Sequence, residues 1–355
     1  MLNRRRFLAT AATASVAAAW TSPATFAGQT SANTDGWRTF DISTRVDLRK
    51  AEGQAKLWLP VVQSDGEYQK AEAPVWSVRG ATVRMANDEA SGADILSINW
   101  PADELDRTVE ITQRVMTRNR TADAPVAAAS DAELAHAVAS TPSMPTDGIV
   151  KTTAMKIVEA RVGDEAKARA IYDWVIENTF REANVAGCGV GNAKDMLESG
   201  YFGGKCADIN SLFTALARAA GLPARDVFGI RVADSADFKS VGRSGDITKA
   251  QHCRAEVYLE GRGWTAVDPA DVRKVVLEEK LPLDNNAVRA YREKAFGNWE
   301  MNWVGYNTAR DLTLPGGGLE QGFLMYPAAL TSLGELDCLN PQTFAYNITS
   351  REVRA

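Results

Sequence analysis

The sequence contains few of the side chains that enzymes most often use as bases and metal ligands. Its 355 residues include two histidines, His136 and His252, and four cysteines without a paired Cys-x-x-Cys spacing. A structural zinc site needs several such ligands at close spacing, so the pattern argues against one. We therefore expect no metal and no cofactor, and a reaction that needs a histidine base has two candidates for it.

Long apolar runs and clusters of basic residues are also scarce. The Ala- and Thr-rich stretch up to Trp20 is too short and too weakly apolar to span a membrane. The formal net charge is -5, and no basic patch with interleaved aromatic residues occurs. The composition therefore argues against a nucleic-acid partner and against stable membrane insertion once a signal is removed. The oligomeric state stays open.

Two glycine-rich segments look like known motifs without completing them. Residues 187–192 lack the Gly-Lys-Ser/Thr ending of a phosphate loop, which argues against nucleotide binding. Ser244 lacks the Gly-x-Ser-x-Gly frame of a serine hydrolase. We interpret 187–192 and 238–248 as loops at the rim of a cleft.

The N-terminus reads as an export signal. Asn3-Arg4-Arg5-Arg6-Phe7-Leu8 is a twin-arginine pattern, and it is followed by a mildly apolar run with Thr25-Phe26-Ala27 as a small-residue cleavage site. No cysteine follows this site to take a lipid. The sequence therefore predicts a periplasmic or secreted protein that uses the twin-arginine pathway.

The run from Gly203 to Phe213 places one cysteine between a glycine pair and a helical pattern. The apolar residues after it recur at helical spacing, at Ile209, Leu212, Phe213, Leu216 and Ala220. The pattern predicts a helix that ends at Gly221, with Cys206 at its N-terminus. There the free backbone N–H groups and the helix dipole favour the thiolate, which is the nucleophilic form. Asp208 is interpreted as a charge in the first turn.

His252 is the better placed of the two histidines. It opens a strand whose alternation puts His252 and Glu256 on one face, and a turn then leads to a short strand that ends at Asp268. His136 lies in an Ala- and Ser-rich stretch without chemical neighbours. A turn over residues 261–263 would, however, pair Asp268 with Glu256, and His252 would lie four residues further along its strand, roughly 13 Å away. A bulge or a shifted turn is therefore needed to bring His252 and Asp268 together.

These segments resemble a known family, the bacterial transglutaminase-like proteins of the papain-like thiol-enzyme superfamily. The matching blocks, in the family's order, are Gly204-Lys205-Cys206-Ala207-Asp208, Leu212 to Leu216, Arg218 to Arg225, His252, Glu256 to Leu259, Gly263-Trp264 and Val267-Asp268-Pro269. The resemblance covers about a third of the chain. It implies Cys206 as nucleophile, His252 as base and Asp268 as the acid that orients the histidine. Where many members have Ala-Trp after the histidine, this chain has Cys253-Arg254.

The patterns and the resemblance together predict an α+β fold. The expected division is 1–27 signal peptide, 34–120 N-terminal β domain, 121–148 linker, 149–275 transglutaminase-like core and 276–355 aromatic-rich extension. In the first domain apolar residues alternate with polar ones from Trp37 to Met116, which is typical of an antiparallel β sandwich. The core is expected to pack a helix bearing Cys206 on an antiparallel sheet. The linker is expected to hold one short helix around residues 131–139.

The expected function is an exported cysteine enzyme that acts on amide or peptide bonds of a peptide or protein substrate. A thioester acyl-enzyme could pass to water, as in a peptidase or amidase, or to an amine, as in a transglutaminase. The alternative is a binding protein for envelope peptide or polysaccharide on the same scaffold. Other points stay open. They are a disulfide between Cys206 and Cys188, whether Arg254 and Glu256 pair with each other or contact substrate, and whether the aromatic residues after 296 form core or a stacking surface.

Overall fold

In the described part of the chain, most strands come before residue 118 or after residue 302, and the helices lie between residues 131 and 294. The computed structural model describes residues 36–88, 91–123 and 128–353, so the predicted signal peptide lies outside the described residues. The helices of this part are α1 (Asp131–Val138), α2 (Gly148–Val158), α3 (Asp164–Asn178), α4 (Ala193–Ser199), α5 (Cys206–Ala219), α6 (Pro269–Glu278) and α7 (Asn286–Lys294).

The strands fall in three groups along the chain. The first group is β1 (Arg38–Asp47), β2 (Ala55–Pro60), β3 (Gln69–Ala71), β4 (Val75–Val78), β5 (Thr82–Asp88), β6 (Ala93–Trp100) and β7 (Thr108–Thr117). The second is β8 (Phe180–Arg181), β9 (Gly203–Gly204), β10 (Ala224–Arg231), β11 (Gly245–Asp246), β12 (Gln251–Leu259) and β13 (Gly263–Val267). The third is β14 (Trp303–Asn307), β15 (Leu312–Thr313), β16 (Glu320–Gln321), β17 (Ala328–Thr331), β18 (Gly334–Leu336) and β19 (Ala345–Val353).

Two antiparallel sheets face each other in the N-terminal part. One has the order β11-β19-β1-β7-β3, with β4 also paired to β7, and the other has the order β18-β17-β2-β6-β5. Alternate residues of β1 and β7 point inward and meet residues of β2 and β6, among them Val46, Leu57, Leu96 and Val109. The alternation read from the sequence therefore does form a sandwich.

The core sheet has the order β13-β12-β10-β14 and carries α5 on one face. Leu212, Phe213 and Leu216 of α5 are fully buried against residues of β10 and β12. The helix ends as its sequence predicts, because Gly221 adopts a φ of +87° and the N–H of Leu222 bonds back to the carbonyl of Ala217 at 2.9 Å. The predicted packing of the cysteine-bearing helix on an antiparallel sheet is confirmed, as is the α+β class.

The last 80 residues do not lie apart from the rest of the chain. Strand β14 completes the core sheet beside β10, β17 pairs with β2, and β19 pairs with β1 from Thr39↔Val353 to Asp47↔Ala345. The C-terminal extension thus supplies strands to three sheets. The expected domain boundaries remain predictions.

Several smaller expectations can be compared with the described residues. Helix α1 occupies the segment predicted to be a linker with one short helix. Trp299, Trp303 and Tyr306 are each less than a tenth exposed, so these aromatic residues are core. Within the described residues, no helix combines the length and the apolar character that crossing a membrane requires.

Candidate active site

Cys206 is the first residue of α5, and its side chain is only 3% exposed. The turn before it is tight because Asp208 folds back to accept a hydrogen bond from the backbone N–H of Lys205 at 2.9 Å. A Cβ on Gly204 would lie 2.5 Å from the Cβ of Asp208, so glycine is required there. Asp208 thus acts as a helix-capping residue, which agrees with its interpretation as a first-turn charge.

Asp208 also holds the loop that covers Cys206. Its other carboxylate oxygen accepts hydrogen bonds from the N–H groups of Val190 and Gly191, each at 2.9 Å. The carbonyl of Cys188 in this loop accepts a hydrogen bond from the N–H of Ala207 at 2.9 Å. These bonds fix the loop 186–191 on the helix N-terminus and bring Cys188 beside Cys206.

His252 lies on β12, and the observed register resolves the distance problem of the sequence. The turn spans residues 260–262, so that Leu259 pairs with Gly263 and Ala255 pairs with Val267. This shift by two positions brings Asp268 diagonally across from His252. The Nε2 atom of His252 lies 2.8 Å from Oδ2 of Asp268. The shifted turn is therefore what joins the two side chains.

Asp268 is itself held in place by two groups from other elements. It is the N-cap of α6, and its Oδ1 accepts hydrogen bonds from the N–H of Asp271 at 3.1 Å and from Nδ2 of Asn210 at 3.2 Å. Asn210 also donates to the carbonyl of Cys253 at 2.8 Å and accepts from the N–H of Ala270 at 3.1 Å. One fully buried amide thus ties α5, β12 and α6 together around Asp268.

Asn210 was not singled out from the sequence, although a signal for it was present. It follows Cys206 by four residues, so the two side chains lie on the same face of α5. A polar residue on the face that otherwise packs into the core needs a hydrogen-bond partner. The spacing of Cys206 and Asn210 indicates that Asn210 needs a hydrogen-bond partner, but it does not identify Asp268 as that partner.

A second buried carboxylate, Asp271, was also missed. Its Oδ1 lies 2.5 Å from Nη2 of Arg231 and 3.5 Å from Nε2 of His252. Arg254 approaches the other acid, with its Nε 3.4 Å from Oδ2 of Asp268. The histidine is therefore flanked by two acids and two guanidinium groups, all nearly fully buried.

The same cluster is the place where a metal ion would be sought. Within the described residues, His252, Asp268 and Asp271 bring three possible ligand atoms within 4.8 Å of one another. Arg231 and Arg254 already supply positive charge to the two carboxylates at 2.5 Å and 3.4 Å. A cation would have to displace or oppose them, so this donor set suits an imidazolium rather than a metal.

The surroundings of His252 favour its charged form. Burial and the positive charge of Arg231 oppose protonation, but the negative charges of Asp271 and Asp268 outweigh them, and the pKa of His252 is raised. Because Nε2 faces Asp268, the Nδ1 atom is the ring nitrogen available to the thiol. A protonated imidazole at this place would be stabilised by two acids.

The surroundings of Cys206 favour the thiolate. Hydrogen bonding from Cys188, and then from Cys253, lowers the pKa of Cys206, and His252 adds to this through a hydrogen bond and its charge. Burial acts in the opposite direction but is outweighed. A lowered thiol pKa and a raised imidazole pKa both favour the charged forms, as a thiolate–imidazolium pair requires. Cys253, which takes part in this effect, occupies one of the two positions where the chain departs from the family pattern.

Two expectations about neighbouring residues are decided by the contacts. Arg254 and Glu256 do not pair: Arg254 contacts Asp268 and stacks on Trp303 at 4.7 Å from the ring centre, whereas Glu256 binds Arg225 at 2.5 Å and also Arg120. The pairing interpretation was wrong because each of the two residues has another buried partner of opposite charge. All four cysteines are free thiols in the structure, so no bridge joins Cys206 to Cys188.

A cleft opens above these residues. It has a volume of about 760 Å³ and reaches both Cys206 and His252. Segments from both predicted rim loops line it, including Gly187 and Gly242. His136 is exposed on α1 and is not among the lining residues. A substrate could therefore reach the buried thiol from this side.

A thiol at a helix N-terminus that faces a histidine on a sheet, with a carboxylate behind the histidine, defines the class of papain-like cysteine-enzyme scaffolds. The sequence profile of the Transglutaminase-like superfamily matches residues 151–269, which include all three residues. A protein from Haemophilus influenzae, named only as uncharacterised, is 34% identical over 345 residues, covering 90% of this chain and 93% of that protein. This chain belongs to the transglutaminase-like superfamily.

The fold has a counterpart among solved structures. A crystal structure of a protein from Cytophaga hutchinsonii, described as a candidate cysteine protease, superposes with a TM-score of 0.50. The match covers 89% of this chain and 98% of that one at 14% sequence identity. At this identity the likeness concerns the fold alone, and it extends well beyond the residues that the family profile matches.

Proposed function

We propose that this chain is an exported cysteine enzyme that hydrolyses amide or peptide bonds through Cys206, His252 and Asp268. The observation that carries the proposal is the 2.8 Å contact between His252 and Asp268 beside a thiol whose pKa is lowered. A charged pair of this kind is costly to bury and has no evident structural purpose. It is what a thiol nucleophile requires.

The proposed reaction has two halves. The Cys206 thiolate attacks the amide carbon, and a carbon–sulfur bond forms while the oxygen becomes an anion. The imidazolium of His252 gives its proton to the amine nitrogen, the carbon–nitrogen bond breaks, and a thioester remains. Asp268 holds the imidazole through Nε2 and stabilises its positive charge. The N–H of Cys206, outside the hydrogen-bond ladder of α5, would stabilise the oxyanion.

Water is the proposed acceptor of the acyl group in the second half. His252 takes a proton from a water molecule, the hydroxide attacks the thioester carbon, and the thiolate of Cys206 leaves. Transfer to an amine needs a cleft that excludes water. The cleft here carries several exposed charged side chains, Lys239 and Lys249 among them, and such groups keep water close.

The first test follows the alkylation of Cys206 by iodoacetamide across pH, with peptide mass spectrometry as the readout. In the wild type we expect labelling well below the pKa of a free thiol, about 8.5. In His252→Ala, labelling should need higher pH, because the positive partner is lost. Labelling that is indifferent to His252 would contradict the proposed pair and would favour the binding-protein alternative.

A second test separates hydrolysis from transfer. With p-nitrophenyl acetate as an acyl donor, a mass gain of one acetyl group on Cys206 should appear in the wild type and be absent in Cys206→Ala. Added glycinamide then competes with water for the thioester. Release of acetate in excess over acetylglycinamide supports a hydrolase, and the reverse ratio would make the protein an acyl transferase.

A further inference from the structure

The cleft above Cys206 carries an unusual charge. Six cationic side chains line it, namely Arg181, Lys205, Lys239, Arg243, Lys249 and Lys274, whereas two carboxylates do so, those of Glu278 and Glu279. Arg231 lines it as well but is neutralised by Asp271 at 2.5 Å. The space in front of the thiol is therefore strongly positive.

The two carboxylates do not cancel this charge. Glu278 is shared by Arg181 at 3.4 Å and Lys274 at 3.9 Å, so that one acid faces two cations. Glu279 accepts a hydrogen bond from the backbone N–H of Ser240 at 2.8 Å. Asp246, outside the lining, interacts electrostatically with Arg243 and Lys249, so that one further acid also faces two cations. Several positive charges are thus left for a ligand.

The positive charge is a property of the cleft and not of the whole protein. The complete sequence has a formal net charge of -5. Charges of one sign that gather in a concave site focus the electric field and raise the local concentration of ligands of opposite sign. Burial, with the charge of Arg231 as the second cause, lowers the pKa of Lys274 to about 8. A bound anion would relieve that repulsion.

The cleft is also lined by apolar side chains. They come from the C-terminal part of the chain and include Tyr326, Leu339, Phe344 and Tyr346. A ligand that fills the cleft therefore meets both cations and aromatic or aliphatic groups. A small inorganic anion would use only the cations.

We propose that the cleft selects acidic peptides, in which carboxylate side chains flank the reacting amide and an apolar side chain packs on the aromatic residues of the cleft. This inference rests on the proposed function, because it assigns the substrate class to the same site. Lys239 and Lys249 are the positions that test it best. Both are exposed on the rim and neither touches Cys206, His252 or Asp268.

The test compares two reagents on one thiol. Iodoacetate is an anion and iodoacetamide is neutral, but both alkylate the same thiolate, so the ratio of their rates reports the field of the cleft and not the pKa of Cys206. Relative to free cysteine, we expect the ratio at Cys206 to be raised at low salt and to fall towards that of free cysteine as salt is added.

The variant K239E/K249E should lower this ratio by about tenfold at low salt, since two positive charges become negative near the reaction path. The matched control is K156E/K194E, which makes the same change at two exposed lysines that do not line the cleft. The control should leave the ratio unchanged. Far-UV circular dichroism checks that both variants are folded.

A binding measurement identifies the ligand class. The full chain carrying Cys206→Ser is titrated into a fluorescein-labelled peptide Glu-Glu-Phe-Gln-Glu-Glu and, separately, into its counterpart with Lys in place of Glu. Anisotropy should rise for the acidic peptide, and rise much less for it in the same chain with K239E/K249E. Equal binding of both peptides, or binding of neither, overturns the proposal.

The two hypotheses fail in different ways. If Cys206 reacts with neither reagent, the proposed function is contradicted, although the serine variant still reports whether acidic peptide binds. If Cys206 reacts readily but the ratio of rates equals that of free cysteine, the function stands and the acidic-peptide inference falls.

Discussion

Cys206 is surrounded by three groups that each carry an exchangeable proton: Cys188, Cys253 and His252. The thiol of Cys188 has two acceptors within reach, because it lies 3.3 Å from the carbonyl of Gln251 and next to the sulfur of Cys206. The hydroxyl of Tyr326 donates to Cys188 at 3.0 Å, and the single proton of the Cys188 thiol is donated either to the carbonyl of Gln251 or to the sulfur of Cys206. A negative charge on Cys206 is therefore solvated by thiols as well as by the imidazolium.

At the residue scale, Cys188→Ala should make Cys206 a weaker acid. The loss of one hydrogen bond to a charged group costs about 1.5 kcal/mol, so we expect alkylation at pH 6 to slow by about tenfold while the rate above pH 9 stays similar. The pH profile of Cys206 labelling is the measurement. Cys188→Ser keeps a donor at the same place and serves as the control. A profile of the alanine variant that coincides with that of the wild type would contradict this role.

The pH profile of turnover belongs to the same group of residues. The lowered pKa of Cys206 places the acidic limb below the usual thiol range, and the raised pKa of His252 places the alkaline limb above the usual imidazole range. Turnover should therefore be bell-shaped, with kcat/KM lost as pH falls through the first value and as it rises through the second. A profile that rises steadily to the pKa of a free thiol would exclude the charged pair.

At the scale of elements, one carboxylate joins a loop, a turn and a helix. Asp208 caps α5 through Lys205 and holds the loop through Val190 and Gly191. The loop in turn presents Cys188 to the thiol. The position of Cys188 beside Cys206 thus depends on a residue that is two positions further along the helix and does not line the cleft.

Asp208→Ala should therefore lower both stability and thiol acidity. Three hydrogen bonds from backbone N–H groups are lost, and we expect the free energy of unfolding to fall by about 2 to 4 kcal/mol. Urea denaturation measures this, and iodoacetamide labelling reports the thiol. Asp208→Asn keeps an acceptor for the loop and should give smaller changes in both. An alanine variant with wild-type labelling at low pH would show that the loop stays in place without Asp208.

The elements also show how far sequence patterns reach. The helix of Cys206 and the strand of His252 could be predicted, because apolar periodicity and the glycines at their ends are local signals. The two-residue shift in the register of β12 and β13 could not be predicted. A turn at 260–262 and a turn at 261–263 have the same length, and only the observed pairing of Leu259 with Gly263 distinguishes them. Asp271 and Arg231 were missed for a similar reason: Asp271 on α6 and Arg231 at the end of β10 meet beside His252 only in the folded chain, and no spacing in the sequence encodes that contact.

At the scale of the whole molecule, the two ends of the described chain depend on each other. Strand β19 lies between β1 and β11, Ile348 is buried, and the hydroxyl of Ser350 donates to the carbonyl of Val232 at 2.7 Å. The pairing of β1 with β19 spans almost the full length of the chain. Local patterns predicted the strands of the sandwich, but such distant partners leave no mark in any one stretch of sequence.

A chain that stops at Phe344 should not fold to a stable state. It lacks β19, so β1 becomes an unpaired edge and apolar residues such as Phe40 and Ile42 lose part of their cover. We expect little soluble protein and the loss of cooperative thermal unfolding. A chain that stops at Val353 keeps β19 and should behave like the wild type. Cooperative unfolding of the shorter chain by circular dichroism would contradict this dependence.

The pairing of the first strand with the last also has a consequence for the order of events in the cell. Roughly 300 residues separate β1 from β19, and at about 5 to 20 residues per second their synthesis takes about 15 to 60 seconds. During that time β1 can pair with β7 but has an open edge on its other side. Completion of the sandwich therefore waits until β19 has been synthesised, so a polypeptide that ends before β19 contains Cys206 but lacks the strand that closes the sandwich.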